Sequence, residues 1–172
     1  QYQQLILCLE AIKKLPHILS DIDYIPRYSK HSTQQTQTML YYKSYAEQVY
    51  KRTQEAFCEM NKIMFSSLEK LINKINQVSD ESFRIILCVC PSSSPNKQNT
   101  VSLSVREFIK THAYKNVSDC SKLFVRKNAI PPSHLSKHRS ISQHLDSIRV
   151  NNEYNLNFSD RKNIFIICDD IR

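Results

Sequence analysis

The sequence predicts an α/β protein in which a small, mostly parallel sheet flanked by helices follows a long N-terminal helix. Apolar residues recur at helical spacing between residues 41 and 78. Short apolar runs rich in branched residues lie at 83–90 and 164–168, and a stretch of helical period lies between them at 101–113. The 172 residues are enough for one domain with a real core.

The first 80 residues are predicted to be helical, and residues 81–172 to carry the sheet. Residues 1–19 have the pattern of a short amphipathic helix that Pro16 breaks, and the polar stretch 21–38 is predicted as a loop. The helix at 41–78 is interpreted as covering one face of a core. Two alternatives remain for this helix: it could form a dimer, or it could be a nucleic-acid surface.

The second half alternates strands and helices in an order typical of a parallel sheet. The strand at 83–90 is apolar on both faces, which indicates a central position. Thr100 is predicted to cap the helix that follows it. The remaining predicted elements are a second strand at 121–127, a basic loop at 128–140, a short strand or helical turn at 142–150, and a third strand at 164–170.

The net charge of +8 favours an anionic partner, which could be nucleic acid, a membrane surface or a phosphorylated metabolite. No apolar run reaches the length of about 18 residues that a membrane span needs, and no secretion leader opens the chain. We therefore expect no membrane partner and a cytoplasmic location. We also expect reduced, structural thiols at the six cysteines, which are Cys8, Cys58, Cys88, Cys90, Cys120 and Cys168.

The chain contains no glycine, although average usage predicts about twelve in this length. Tryptophan is missing too, and the first residue is Gln1 rather than methionine. We expect the chain to be a fragment whose reading frame was cut at both ends. One route is a genome that uses a stop codon for glycine, translated with the standard code. A fragment of this kind is expected to be inactive and poorly stable as it stands.

Ligands of open parallel sheets bind beyond the carboxyl ends of the strands, so the loops there are the candidate sites. The first candidate loop runs from Pro91 to Lys97 and contains Ser92, Ser93 and Ser94. Its hydroxyl and amide groups precede a helix N-terminus, which suits a phosphate. The alternative is an ordinary turn that caps the next helix.

The second candidate loop is rich in cationic and titratable side chains. A loop of this composition could close over a phosphate-rich substrate and stabilise negative charge as it develops. A solvated basic loop and a nucleic-acid patch are the alternatives. The residues concerned are Arg126, Lys127, His134, Lys137, His138 and Arg139.

The third candidate is the pair Asp169 and Asp170, which ends a buried strand. Carboxylates at such a turn can accept hydrogen bonds from neighbouring sugar hydroxyls or hold Mg²⁺ through water. The alternative is that the two aspartates are ordinary polar residues at the end of a strand and form no site.

Taken together, these segments resemble the type I phosphoribosyltransferases. The stretch "IFIICDDIR" at 164–172 is similar to the family's phosphoribosyl diphosphate (PRPP) motif, and "IILCVCPSSSP" at 85–95 is similar to its first core strand and pyrophosphate loop. Residues 123–150 resemble the flexible-loop segment of the competence-associated, amidophosphoribosyltransferase-like branch, and "MLYYKSY" at 39–45 resembles a segment ahead of its core. The likeness covers residues 24–172, with motif content from residue 83 onward.

The resemblance implies an incomplete phosphoribosyltransferase-like core at 81–172 and assigns a role to each candidate segment. Asp169, Asp170, Ile171 and Arg172 would bind PRPP, and Pro91, Ser92, Ser93 and Ser94 would hold its pyrophosphate. Arg126, Lys127, His134, Lys137 and Arg139 would form a catalytic lid over the leaving group. Mg²⁺ would arrive with the diphosphate.

The reaction implied is a glycosyltransferase step of nucleotide metabolism. A nitrogen of a nucleobase or amine would displace pyrophosphate from the sugar carbon, while the protein positions the reactants and neutralises the departing charge. The sequence does not identify the acceptor. Two features depart from the family: the loop for the 5′-phosphate would have to follow Arg172, and the pyrophosphate loop has no glycine.

Two other function classes remain open at this stage. One is a regulator that senses PRPP or a nucleotide without catalysis, because a fold does not determine a function. The other is a basic nucleic-acid-binding protein, which the mixed acidic and basic residues of 41–78 make less favoured. A homodimer is compatible with each of these classes.

Overall fold

The computed structural model describes residues 34–78, 83–95, 97–130, 146–156 and 162–169. The predicted helix at 1–19 lies outside these ranges. The chain divides into two compact units, the first ending at Arg84 and the second beginning at Ile85. Each unit has its own secondary structure, helical in the first and mixed in the second.

The first unit contains helix α1, Gln34–Ser44, and helix α2, Lys51–Val78. The two helices pack against each other through aromatic rings, since Phe57 stacks on Tyr42 and on Tyr45 at centroid distances of 6.1 and 4.1 Å. The buried apolar side chains of α2 recur at steps of three, four and eight, which places them on one face of the helix. These are Ala56, Met60, Leu68, Ile72 and Ile75.

The prediction of a single helix over 41–78 is wrong, because the chain leaves the helix at residues 45–50. Thr53 explains the break. Its buried Oγ1 accepts a hydrogen bond from the Tyr50 backbone N–H at 3.0 Å and donates to the Gln48 carbonyl at 2.9 Å. These bonds satisfy backbone groups that a continuous helix would have used, so α2 starts afresh at Lys51. The predicted loop at 21–38 is also wrong from Gln34 onward, where α1 begins.

The second unit contains a three-stranded parallel sheet in the order β2-β1-β5. The strands are β1, Arg84–Val89, β2, Val117–Cys120, and β5, Asn163–Cys168. Five of the six residues of β1 are buried, which confirms its predicted central position. Helix α3, Thr100–His112, connects β1 to β2, and the two strands pair in register from Ile85 with Val117 to Cys88 with Cys120.

The predicted second strand at 121–127 is wrong as a member of this sheet. The parallel partner of β1 is the polar segment "VSDC", which the sequence analysis did not recognise because it lacks an apolar run. Strand β3, Phe124–Arg126, instead pairs antiparallel with β4, Ile148–Val150, in a separate two-stranded sheet. The loop after Arg126 therefore leaves a hairpin strand rather than the carboxyl end of a parallel strand.

Helix α3 is capped by Asn99 and not by Thr100, which lies buried inside the first turn. The Asn99 Oδ1 accepts from the Val101 N–H at 2.8 Å, and the Asn99 Nδ2 donates to the Cys90 carbonyl at 2.9 Å. At the other end, Ala113 adopts the left-handed conformation with φ of 46°, and its N–H donates to the Ile109 carbonyl. Asn99 thus joins the start of α3 to the end of β1.

Replacing Asn99 with alanine is expected to lower the free energy of unfolding by about 1 kcal/mol, since the cap is lost. Asn99→Asp is the matched control, because it keeps the oxygen that accepts from Val101 but loses the donor to Cys90. Urea denaturation followed by far-ultraviolet circular dichroism measures both variants. Equal stability of the alanine variant and the parent would show that this cap contributes nothing.

A hydrophobic cluster in the second unit is built from Ile86, Cys88, Cys120 and Leu123. Burial raises the pKa of the Cys88 thiol to about 12, with smaller contributions from Cys120 and Cys168, so the thiol stays protonated at neutral pH. The partly buried side chains that pack against this cluster are Phe124, Tyr154, Leu156 and Phe165.

Each of the five cysteines in the described ranges is a free thiol, and Cys8 lies outside those ranges. None of the three helices there combines the length and the apolar character that crossing a membrane requires.

Candidate functional site

Two of the candidate segments leave the parallel sheet side by side. Strands β1 and β5 are neighbours, and the Cys90 N–H donates to the Cys168 carbonyl at 2.9 Å. The loop that starts at Pro91 and the carboxylate of Asp169 therefore both emerge at the carboxyl edge. The chain runs from β1 to β2 on one side and returns as β5 on the other, so this edge is a topological switch point, where open sheets bind ligands.

The loop 91–97 is closed by its own hydrogen bonds. The Ser92 hydroxyl donates to the Ser94 carbonyl at 2.8 Å and to the Lys97 carbonyl at 3.3 Å, and the Lys97 N–H donates to the Ser94 carbonyl at 3.3 Å. The Val101 N–H of the adjacent helix turn is taken by Asn99. An anion at this loop would have to replace some of these bonds.

Arg126 ties this loop to the β3–β4 hairpin. Its side chain is only 8% exposed, its Nε donates to the Ser92 carbonyl at 2.9 Å, and its Nη1 donates to the Ser147 hydroxyl. A further bond runs from the Ile130 N–H to the Ser93 carbonyl at 2.8 Å. The structure thus brings Ser92, Ser93 and Arg126 together, with Arg126 held as a buried link.

The other residues proposed for the lid and the PRPP motif are only partly described. Lys127 has an exposed side chain, while its backbone N–H donates to the Ser147 carbonyl at 2.7 Å. Asp169 is exposed beyond the end of β5. The residues outside the described ranges are His134, Lys137, His138, Arg139, Asp170, Ile171 and Arg172.

Burial raises the pKa of the Cys168 thiol to about 12, and Cys90 and Asp169 contribute to the same effect. The thiol beside the candidate carboxylate is therefore neutral at physiological pH. In the described part of this edge, the formal negative charge next to β5 is that of Asp169.

A cavity of about 410 Å³ lies between the loop 91–97, the first turns of α3 and the chain that follows β2. The charged residues in the described part of its lining are all cations, namely Lys97, Arg106, Lys122 and Arg126. The Arg106 Nε lies 3.7 Å from the Asp119 Oδ2. Like charges around a concave surface focus a positive potential that attracts anions.

Ser121 lines the same cavity and is 4% exposed, and its hydroxyl has no hydrogen-bond partner within the described residues. Its backbone N–H is satisfied by the Asp119 Oδ1 at 2.8 Å. A buried hydroxyl without a partner lowers the stability of the folded protein by about 1–3 kcal/mol, so each such group needs a physical explanation.

Ser121, Lys122 and Arg106 were not predicted as residues of a site. The prediction of a strand over 121–127 hid the turn after β2, and Arg106 has the pattern of an ordinary residue of an amphipathic helix. No local pattern marks these three residues, because they meet only when β2 pairs with β1.

Among the residues that the structure describes, no three histidine, cysteine, aspartate or glutamate side chains lie close enough together to hold a metal ion.

No protein-family model matches the chain, and neither a curated protein nor a solved structure matches it.

Proposed function

We propose that this chain is a phosphoribosyltransferase-type domain that binds PRPP together with Mg²⁺. One observation carries the proposal: the two segments with the strongest resemblance to PRPP-binding motifs emerge from neighbouring strands, joined by the bond between Cys90 and Cys168. The motif resemblance and the position of this edge at a switch point of a parallel sheet support each other.

In this proposal, Asp169 and Asp170 accept hydrogen bonds from the ribose hydroxyls, with Ile171 and Arg172 completing that segment. The loop 91–94 holds the pyrophosphate. The basic lining of the adjacent cavity supports this role, since it offers cations to a departing diphosphate. Lys127, His134, Lys137 and Arg139 supply the lid, while Arg126 anchors the lid's first strand to the pyrophosphate loop.

Magnesium fits the proposal as a companion of the diphosphate. Mg²⁺ keeps several waters and is usually bound by one or two carboxylates together with substrate phosphates, not by a cage made of protein alone. Asp169 provides an exposed carboxylate of the required kind at the edge of the sheet. The ion would neutralise diphosphate charge there.

A transferase and a sensor of PRPP differ in turnover and not in binding. In both, PRPP lies over the same edge, and only a transferase releases pyrophosphate when a nitrogen nucleophile is present. We propose the transferase for the full-length protein, with a nucleobase or amine as the acceptor. The proposal also places the protein in the cytoplasm.

Asp169→Asn is expected to weaken PRPP binding about tenfold or more, because a charged acceptor for two hydroxyl groups becomes a neutral one. Isothermal titration calorimetry with PRPP and MgCl₂ measures the dissociation constant. Glu59→Gln is the matched control, since it removes an exposed carboxylate from helix α2 in the other unit. The parent should also prefer PRPP over ribose 5-phosphate.

The absence of saturable PRPP binding to the parent protein would refute this proposal. An unchanged dissociation constant in Asp169→Asn would remove Asp169 from the site. Binding without pyrophosphate release, across a panel of nucleobases and amines, would favour the sensor.

A further inference from the structure

We infer that Arg126 and the backbone N–H of Ile130 are positioning groups, which hold the loop 91–94 so that the N–H groups of Ser93 and Ser94 are presented to the diphosphate. The inference rests on the proposed function, in which this loop holds the pyrophosphate, and it adds how the loop is oriented for that task. Both groups act through carbonyls of the loop and not by contact with the ligand.

Two hydrogen bonds tie successive carbonyls of the loop to the segment 126–130. The Arg126 Nε donates to the Ser92 carbonyl at 2.9 Å, and the Ile130 N–H donates to the Ser93 carbonyl at 2.8 Å. The first of these bonds joins residues that are 34 positions apart in the chain. The orientation of the loop is therefore imposed by the tertiary structure and not by the loop alone.

The geometry of the peptide unit converts these two bonds into an orientation of the N–H groups. A trans peptide unit is planar, and its carbonyl and its N–H point in opposite directions. The described residues contain no cis peptide bond. The Ser92 carbonyl shares a peptide unit with the Ser93 N–H, and the Ser93 carbonyl shares one with the Ser94 N–H. Because both carbonyls point to the segment 126–130, both N–H groups point away from it.

The two N–H groups that are turned in this way have no task inside the protein. Among the described residues, neither the Ser93 N–H nor the Ser94 N–H makes a hydrogen bond. The carbonyls of Ser92, Ser93 and Ser94, by contrast, each accept at least one. Successive N–H groups that point to one side of a turn are the donors with which backbone binds anions such as phosphate.

Arg126 can hold the loop because its own side chain is held. It is 8% exposed, and its Nη1 donates to the hydroxyl of Ser147, the residue just before β4. The Lys127 N–H donates to the Ser147 carbonyl, so the backbone next to Arg126 is tied to the same residue. The guanidinium thus has one bond to the hairpin and one to the loop. Without the bond from Nε, the peptide unit between Ser92 and Ser93 loses the contact that sets its direction.

The test uses the full chain, with inorganic pyrophosphate and MgCl₂ as the probe. Nitrogen-15 chemical-shift titration follows the Ser93 and Ser94 amide signals, and calorimetry gives the dissociation constant. We expect pyrophosphate to shift both signals in the parent protein. Arg126→Met keeps the bulk of the side chain and removes its donors. It should weaken pyrophosphate binding about tenfold, because the ligand must then order a peptide unit that the parent holds in place.

Phe108→Leu is the matched control for stability. Phe108 is buried in α3, and its ring stacks on His112 and Tyr114, so the substitution loosens the same unit at a position with no described hydrogen bond to the loop. Pyrophosphate affinity of the folded variant should match that of the parent. An equal loss of affinity in Phe108→Leu and Arg126→Met would assign Arg126 to stability alone and overturn the inference.

Arg126→Lys provides a second variant if Arg126→Met does not fold. A lysine keeps one donor that can reach the Ser92 carbonyl, but it lacks the second donor that fixes the side chain at Ser147. We expect the Ser93 amide signal of the free protein to move and pyrophosphate affinity to lie between those of the parent and Arg126→Met. Unchanged affinity and an unchanged Ser93 signal in a folded Arg126 variant would overturn the inference. Failure of saturating pyrophosphate to shift the Ser93 and Ser94 signals of the parent would do the same.

Comparison of pyrophosphate with PRPP separates this inference from the proposed function. PRPP binding that is as tight in a folded Arg126→Met variant as in the parent would overturn the positioning role and leave the proposed function in place. Pyrophosphate binding that depends on Arg126, in a protein that does not bind PRPP, would refute the phosphoribosyltransferase proposal and leave the positioning role for a diphosphate loop in place.

Discussion

Replacing Arg126 with alanine is expected to lower the free energy of unfolding by about 2–4 kcal/mol, because two hydrogen bonds from a buried guanidinium are lost together. The Ser92 carbonyl would lose its bond to the Arg126 Nε, and the Ser147 hydroxyl would lose its bond to the Nη1. The loop 91–97 and the β3–β4 hairpin would then be joined by fewer contacts. Urea denaturation followed by circular dichroism measures the loss.

Arg126→Met controls for volume, since it keeps the bulk of the side chain and removes the donors. Lys127→Ala controls for charge, because the neighbouring cation is exposed and its truncation should change stability by less than about 0.5 kcal/mol. If Arg126→Ala is as stable as the parent, the guanidinium is not a structural link, and its proposed role in a lid becomes the better explanation.

The structural role of Arg126 affects how substitutions at this position can be used to test the proposed enzyme. A loss of turnover in an Arg126 variant would not by itself identify a catalytic group, because the same change removes the bond that holds the loop 91–97 at Ser92. Lys127 is the sharper probe, since its side chain is exposed and only its backbone contributes to the hairpin. A drop in turnover with unchanged stability in Lys127→Ala would support a lid.

Replacing Phe108 with alanine is expected to cost about 3–5 kcal/mol, the usual range for truncating a large aromatic side chain in a core. Phe108 is fully buried in α3, and its ring stacks on His112 at a centroid distance of 4.4 Å. A domain is typically stable by about 5–15 kcal/mol, so this single change removes a large share. The midpoint of the urea transition should fall accordingly.

Phe108→Leu is the graded control, because it keeps an apolar side chain in the same position and should cost less than alanine. Lys110→Ala, on the exposed side of the same helix, should stay within about 0.5 kcal/mol of the parent. A loss below about 1 kcal/mol in Phe108→Ala would show that α3 does not depend on this ring for its packing.

Elements with a strong local pattern were predicted well. A short stretch of sequence is enough to recognise three of them: the apolar run of β1, the alternation of buried and exposed residues along α3, and the apolar run of β5. Elements without such a pattern were not predicted. Strand β2 is "VSDC", and its place beside β1 comes from pairing with a neighbour more than 25 residues earlier in the chain.

Of the candidate site, the sequence predicted the loop 91–94 and Asp169 as segments that meet at one edge, and the bond between Cys90 and Cys168 brings them together. It predicted Arg126 as part of a mobile lid, whereas the structure holds that side chain buried against Ser92, 34 residues away. Hydrogen bonds over such a separation leave no periodic trace in the chain, and so they cannot be read from spacing.

The sequence by itself determined which stretches become the central strand, its crossover helix and the last strand, because hydrophobic periodicity is a local property of the chain. It also determined the positive charge and the motif resemblance at the strand ends. Only the tertiary structure decided that "VSDC" completes the sheet, that Arg126 is an anchor, and that Ser121, Lys122 and Arg106 meet around a cavity. These features depend on strand pairing and on burial between distant residues, which exist only once the chain has folded.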